Sequence, residues 1–377
     1  MPRRWDIFCT VIDNFGDIGV CWRLSRQLSH EYGQTVRLWV NDLQRFARLE
    51  PTVKPHLSYQ MIQGIEVCFW SNDIATFEQI EPAEVVIEAF ACQLPENYLR
   101  KMQLNNSTVW INLEYLSAEP WVKHYHAIPS PHPSSGLVKT CFFPGFVAGT
   151  GGLIRENNYP SQQDVFPRRA FLQRLDIPTN CPGSIYISLF CYEQAPIENL
   201  IKYLAESTVP ILLIVPDGKI AQRITQLLDY SHYEVGLQMQ LQRLTILIIP
   251  FLDQTDYDRL LCSCDINFVR GEDSFVRAQY AANSFIWNIY PQTDQAHWQK
   301  LDAFLDLYTL TMPSDMKNSV QQLWYYWNGR GEIDGKVLLH FFSLTESFKK
   351  YNKSWFEQLA EQQHLTSNLV QFVENQL

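Results

Sequence analysis

Short apolar, β-branched runs alternate with amphipathic stretches along most of the chain. In the first half DIFCTVI, TVRLWV, IEVCFW, EVVIEAF, TVWINLEYL and LVKTCFFPGF predict strands, and 19–32, 43–49 and 96–104 predict helices. The second half restarts the rhythm: SIYISLFCY, PILLIVPDG, LTILIIPFL, DINFVRG and FIWNIYPQ, with helices expected near 197–205, 219–228, 257–262 and 274–282. Strands alternating with helices predict parallel sheets covered on both faces. Between the halves, 149–169 is rich in Gly, Asn, Gln and Pro and reads as a linker. The expected fold class is therefore α/β, with two Rossmann-like domains facing across a cleft. The expected limits are an N-terminal domain at 1–155, a linker at 156–180 and a second domain at 181–340. A C-terminal segment at 341–377 has no strand pattern and is expected to be helical.

In such sheets ligands bind outside the carboxyl ends of the strands. The loop after the first strand, in TVIDNFGDIGVCWRLSRQL, places Asp13, Asn14 and Asp17 there. A plain turn would account for part of it: Gly16 allows positive φ and Asp17 is a good N-cap. Three polar groups at one strand end ask for more. A carboxylate at a helix N-terminus is expected to stay ionised, and so can act as a base or hold a cation. The loop is not a dinucleotide fingerprint, since no GxGxxG is present.

The second candidate is FVRGEDSFVRAQYAANS. Its strand ends at Arg270, and Gly271, Glu272, Asp273 and Ser274 lead into a helix. Backbone N–H groups there can meet a phosphate, Arg270 can pair with one, and Asp273 or Ser274 can cap the helix. An ordinary capped helix with exposed acids is the plainer alternative. Two further strand-to-helix loops carry Tyr192, Phe251 and Gln254, the stacking and amide groups that suit a nucleobase; core aromatics with polar neighbours fit equally well. Asp256 and Asp258 form a D-x-D, but early in a predicted helix, where alternate residues do not share a face. His297 reads as a structural histidine. No G-x-S-x-G, HExxH or GxxxxGK[ST] occurs, which removes the common hydrolase, zinc-protease and P-loop readings.

Composition narrows the partners. The formal net charge is −10, from 30 basic and 40 acidic residues. Nucleic acid is excluded as the main partner, because phosphate binding needs a basic field. A basic protein surface is the better complement. The longest apolar runs are too short to span a bilayer, and no polybasic amphipathic stretch marks a membrane surface. Nine scattered cysteines without a CxxC pair argue against zinc and for reduced thiols in the cytoplasm.

DIFCTVIDNFGDIGVCWRLSRQL, NLEYLSAEPWV, FFPGF with GTGGLIRE, FVRGEDSFVRAQYA and YPQTDQAHWQKLDAFL together resemble the bacterial protein-arginine rhamnosyltransferases that modify elongation factor P, the EarP family. The resemblance covers essentially the whole chain. It implies the GT-B glycosyltransferase fold and transfer of L-rhamnose from dTDP-β-L-rhamnose to an arginine nitrogen. It further implies inversion at the anomeric carbon and no metal or other cofactor. The implied partner is the N-terminal domain of elongation factor P, which the modification activates for rescue of ribosomes stalled at polyproline. In this likeness Asp17 matches the general base and Asp13 its partner acid. Asn14, Phe15 and Gly16 match a donor-contacting turn, and Glu272 the acid of the donor domain. Arg270, Gly271, Asp273 and Ser274 would cradle the diphosphate or nearby hydroxyls, and Tyr192, Phe251 and Gln254 the thymidine. A glycosyltransferase with another nucleotide sugar and a small-molecule or lipid acceptor, or a binding protein that kept the fold, are the alternatives.

Overall fold

The computed structural model describes residues 2–13, 15–71, 77–104, 108–157, 159, 167–179, 182–292 and 294–377. Asn14 lies outside them. The chain forms two compact units, Met1–Tyr159 with Ala360–Leu377, and Pro160–Leu359.

The first unit holds strands β1 (Arg4–Cys9), β2 (Thr35–Val40), β3 (Tyr59–Ile62), β4 (Ile65–Phe69), β5 (Val85–Ala89), β6 (Val109–Leu113), β7 (Ile128–Pro131) and β8 (Val138–Phe142). Its early helices are α1 (Gly16–His30), α2 (Leu43–Leu49), α3 (Glu96–Leu104) and α4 (Val122–Tyr125). The sheet order is β3-β4-β2-β1-β5-β6-β8-β7. Its interior pairs are parallel, and only β3 and β7 join antiparallel, at the two edges. These edge strands were not expected. Both are short; β3 alternates exposed and buried, and β7 carries two prolines, which only an edge tolerates. β1 lies between β2 and β5, so the chain leaves it toward both sides of the sheet. That arrangement opens a crevice at its carboxyl end.

The second unit repeats the plan with β9 (Ile185–Leu189), β10 (Ile211–Pro216), β11 (Gln238–Leu241), β12 (Leu244–Ile249), β13 (Ile266–Arg270) and β14 (Ser284–Asn288). They are ordered β11-β12-β10-β9-β13-β14. β9 is the switch strand here. The helices are α5 (Arg168–Arg174), α6 (Ile197–Ala205), α7 (Lys219–Leu227), α8 (Gln254–Ser263), α9 (Asp273–Tyr280), α10 (Ala296–Tyr308), α11 (Ser314–Trp327), α12 (Gly335–Ser343) and α13 (Thr345–Ala360). β10 and β14 are buried at every position, as strands covered on both faces must be.

The C-terminal segment at 341–377 is helical and is divided between the two units. α12 and nearly all of α13 belong to the second unit, while α14 (Leu365–Gln376) belongs to the first. The reason is an apolar stripe. Leu365, Leu369 and Val373 enter the core cluster that contains β1 and α1. Thr366 donates to the Gln27 amide oxygen at 2.5 Å, and the Asn368 amide donates to the Gly151 carbonyl at 3.0 Å. Gly152, at φ +78, lies so close to the Gln363 carbonyl that a Cβ would sit 2.4 Å from it. Leu369→Ala is expected to destabilise the first unit by about 2–5 kcal/mol. Hydrogen exchange across α1 should accelerate accordingly while exchange in β10 stays unchanged.

Candidate functional site

In the first unit the candidate site is the turn between β1 and α1. The helix begins earlier than expected, at Gly16, with Phe15 in the N-cap position and no side-chain cap. Asp17 is therefore inside the first turn and is not the cap. Its carboxylate reaches back instead: Oδ2 accepts the N–H of Ile12 at 2.7 Å and of Asp13 at 2.8 Å. The side chain is 2% exposed. Burial raises its pKa above the ordinary value, while the two N–H donors and Tyr115 oppose that rise. Desolvation is the largest influence on this carboxylate. A carboxylate made more basic in this way is better suited to accept a proton near neutral pH.

Gly16 does not adopt positive φ. A Cβ there would meet the Asp13 carboxylate Oδ2 at 2.6 Å, so that side chain lies close against Gly16. Asp13 is thus folded against the start of α1, beside Asp17. Around the carboxyl ends of β1, β2 and β5, residues including Thr10, Asn41, Trp70, Cys92, Gln93 and Arg100 line an open cavity of about 720 Å³.

In the second unit Arg270, Gly271, Glu272, Asp273 and Ser274 form one turn from β13 into α9. Gly271 has φ +62, which only glycine adopts cheaply. Its N–H donates to the Asn288 carbonyl, and its carbonyl accepts from Trp287 Nε1 at 2.8 Å. The Arg270 guanidinium lies over Phe190, 4.2 Å from the ring centroid, and 4.9 Å from that of Tyr192. Its Nη1 donates to the Cys191 carbonyl at 3.1 Å. These contacts fix a cation at the carboxyl end of β13. Tyr192 is itself placed by its N–H, which donates to Asn288 Oδ1 at 2.8 Å, and its ring packs edge-on against Tyr290.

Two expectations about capping change. Glu272 occupies the N-cap position of α9 without a side-chain cap bond. Asp273 accepts the Gln254 amide at 2.9 Å, and Ser274 is buried, exchanging hydrogen bonds with both the N–H and the carbonyl of Arg270. Ser274 therefore shapes the turn. Gln254 is the first residue of α8 and buried, while Phe251 stays in the loop before it. The D-x-D is committed elsewhere: Asp256 accepts from Arg174 at 2.6 Å and from Arg259 at 2.9 Å. His297 accepts the Gln292 N–H, and burial lowers its pKa. Among the described residues, no cluster of three or more His, Cys, Asp or Glu could hold a metal ion, and no helix is long and apolar enough to cross a membrane.

Tyr115, Phe190, Trp287, Asn288 and Tyr290 escaped the reading of the sequence. Phe190 and Tyr290 do follow strands in the runs SIYISLFCY and FIWNIYPQ, and strand-end position could have singled them out. Asn288, as the last residue of an apolar strand, carries a weaker signal.

Residues 5–374 match the family described as Elongation-Factor P (EF-P) rhamnosyltransferase EarP. A protein-arginine rhamnosyltransferase of Pseudomonas putida is 43% identical over 386 residues, spanning 100% of both chains. The solved structure described as the structural basis for EarP-mediated arginine glycosylation of translation elongation factor EF-P is 33% identical, covers 100% of both chains and has a TM-score of 0.69. A UDP-glucosyltransferase from Polygonum tinctorium shares the fold alone, with a TM-score of 0.56 at 10% identity over 100% of this chain and 99% of its own. The architecture is GT-B, and the chain, matched along nearly its whole length, belongs to the EarP family of rhamnosyltransferases.

Proposed function

We propose that this chain transfers L-rhamnose from dTDP-β-L-rhamnose to an arginine side chain of elongation factor P, inverting the anomeric centre. The observation that carries the reading is the turn at the carboxyl end of β1, where Asp13 and the buried Asp17 lie together. An arginine side chain has a pKa far above neutral, so it arrives protonated and is a poor nucleophile. Two adjacent carboxylates answer both problems. They hold the guanidinium and aim one nitrogen at the anomeric carbon. As the C–N bond forms and the C–O bond to the diphosphate breaks, Asp17 takes the nitrogen's proton. The products are rhamnosyl-arginine and dTDP.

On the donor side, Arg270 offers a pre-placed cation to the diphosphate, and the N–H groups that open α9 add to it. Tyr192 and Phe251 supply aromatic surface for the thymine. Gln254 acts through Asp273. Arg270→Ala is expected to weaken dTDP binding roughly 10–100-fold, the worth of a hydrogen bond to a charged partner; isothermal calorimetry with dTDP measures it. Unchanged affinity would remove Arg270 from the donor site. Leaving-group charge handled by Arg270 and α9 needs no divalent ion, and Asp256 is already held by two arginines. Activity is therefore expected to survive excess EDTA, and abolition with rescue by Mg²⁺ would count against this scheme.

The test of the function is direct. Purified chain, dTDP-β-L-rhamnose and elongation factor P are incubated, and the factor is weighed by intact-mass spectrometry. One added deoxyhexose mass, lost when the acceptor arginine is replaced by lysine, supports the reading. No mass gain with that donor, but gain with another nucleotide sugar or acceptor, replaces it.

A further inference from the structure

The segment after β5 is strained without a glycine to excuse it. Phe90, Ala91 and Gln93 have φ of 57°, 52° and 58°. Non-glycine residues in this region persist only where the surroundings over-determine them. Here they do: the Phe90 N–H donates to the Leu113 carbonyl at 2.7 Å and the Ala91 N–H to Asn112 Oδ1 at 3.2 Å. The Gln93 N–H donates to Glu88 Oε1 at 3.0 Å. What the strain accomplishes is the placement of one ring. Phe90 is stacked under Tyr115, with centroids 4.5 Å apart and planes at 17°. Tyr115 lies just beyond β6, the strand that supplies Asn112 and Leu113 to hold the strained segment. Its hydroxyl faces Asp17 Oδ1 at 3.4 Å.

We infer that Tyr115, seated on Phe90, is a positioning residue for Asp17. The inference rests on the reading of Asp17 as the base. Oδ2 of that carboxylate is held by two backbone N–H groups, and the Tyr115 hydroxyl sets the second oxygen and, with it, the plane of the group. At 3.4 Å the contact is long, as hydrogen bonds of resting active sites commonly are before substrate tightens them. Among the described residues, Asp13 in the same turn and Cys9 on β1 also lie near Asp17. The Cys9 thiol is pushed well up by burial and stays neutral. Burial raises the Asp17 pKa, and the Tyr115 hydroxyl, together with the two backbone N–H donors, lowers it.

The test uses the full chain with Tyr115→Phe, which keeps the ring on Phe90 and deletes the hydroxyl. With elongation factor P and dTDP-rhamnose, kcat is expected to fall roughly 10–100-fold. KM for both substrates should stay within about twofold, and the acidic limb of the kcat profile should move to higher pH. A merely structural tyrosine would change melting temperature and leave that limb in place. Phe90→Leu should shift the same limb, and the double variant should be no worse than Tyr115→Phe. Carbon-13 NMR titration of the Asp17 carboxyl supplies a readout independent of any substrate. Its pKa should rise in Tyr115→Phe. If the wild-type chain fails to modify elongation factor P, the proposed function falls while the titration still decides this inference. An unmoved Asp17 titration in Tyr115→Phe, or kcat within twofold of wild type together with an unmoved acidic limb, overturns it.

Discussion

Asp17→Asn is expected to abolish rhamnosyl transfer, with kcat down at least about 10²–10⁴-fold, while dTDP-rhamnose binding and the fold remain intact. The substitution is isosteric. The asparagine oxygen can accept the Ile12 and Asp13 N–H bonds that Oδ2 now accepts, so the turn keeps its shape. What disappears is the proton acceptor. The pKa direction adds a second, unusual expectation. Burial raises the Asp17 pKa, so folding at neutral pH carries the cost of an ionised, desolvated carboxylate. For a group whose folded pKa is raised, the stabilising contribution is present below its unfolded pKa, about 3.9, and is lost as pH rises through the folded value. Asp17→Asn should thus be at least as stable as wild type at pH 7, and the gap should close as pH falls toward the ordinary carboxylate range. Thermal melts across pH, run beside the intact-mass assay, measure both. A variant that retains near wild-type turnover would end the assignment of Asp17 as base.

Glu272→Gln should be nearly as damaging, at about 10²–10³-fold in kcat, by a different route. Glu272 stands at the N-cap position of α9 and caps nothing with its side chain. A carboxylate beside a diphosphate would repel it, so this one is expected to serve the sugar. Rhamnose offers hydroxyl donors in the ground state. Its ring gains positive charge as the bond to the leaving group breaks, and a nearby carboxylate stabilises that charge. Glutamine keeps the shape and most hydrogen bonding but loses the charge. The signature is a fall in kcat with dTDP affinity unchanged, in contrast to the Arg270→Ala variant, where affinity falls. Equal loss of dTDP affinity in Glu272→Gln would place the side chain on the diphosphate, and unchanged kcat would reduce it to a residue of the turn.

Much of the scaffold was legible because its signals are local. β2, α2, α3 and α6 occupy the residues their patterns predict, since apolar periodicity and flanking turn residues act within a few positions. The antiparallel edges of the first unit were missed for a physical reason: β3 is half-exposed and β7 is proline-bearing, so neither gives an apolar run. At Gly16 a composition-level argument infers positive φ, whereas the backbone there does not adopt it and the Asp13 carboxylate lies against it.

By itself the sequence determined the two α/β units, the acids at the first strand's carboxyl end and the RGEDS turn at the end of β13, because each depends on residues close together in the chain. Only the tertiary structure decided that Asp17 is buried, that Tyr115, 98 positions away, meets its free-side oxygen, that Asp273 binds Gln254, and that α14 completes the first unit's core. These are contacts between residues that no period relates. Each exists because elements separated in sequence become neighbours in the fold, and the desolvation that tunes the Asp17 carboxylate arises only once those neighbours have closed around it.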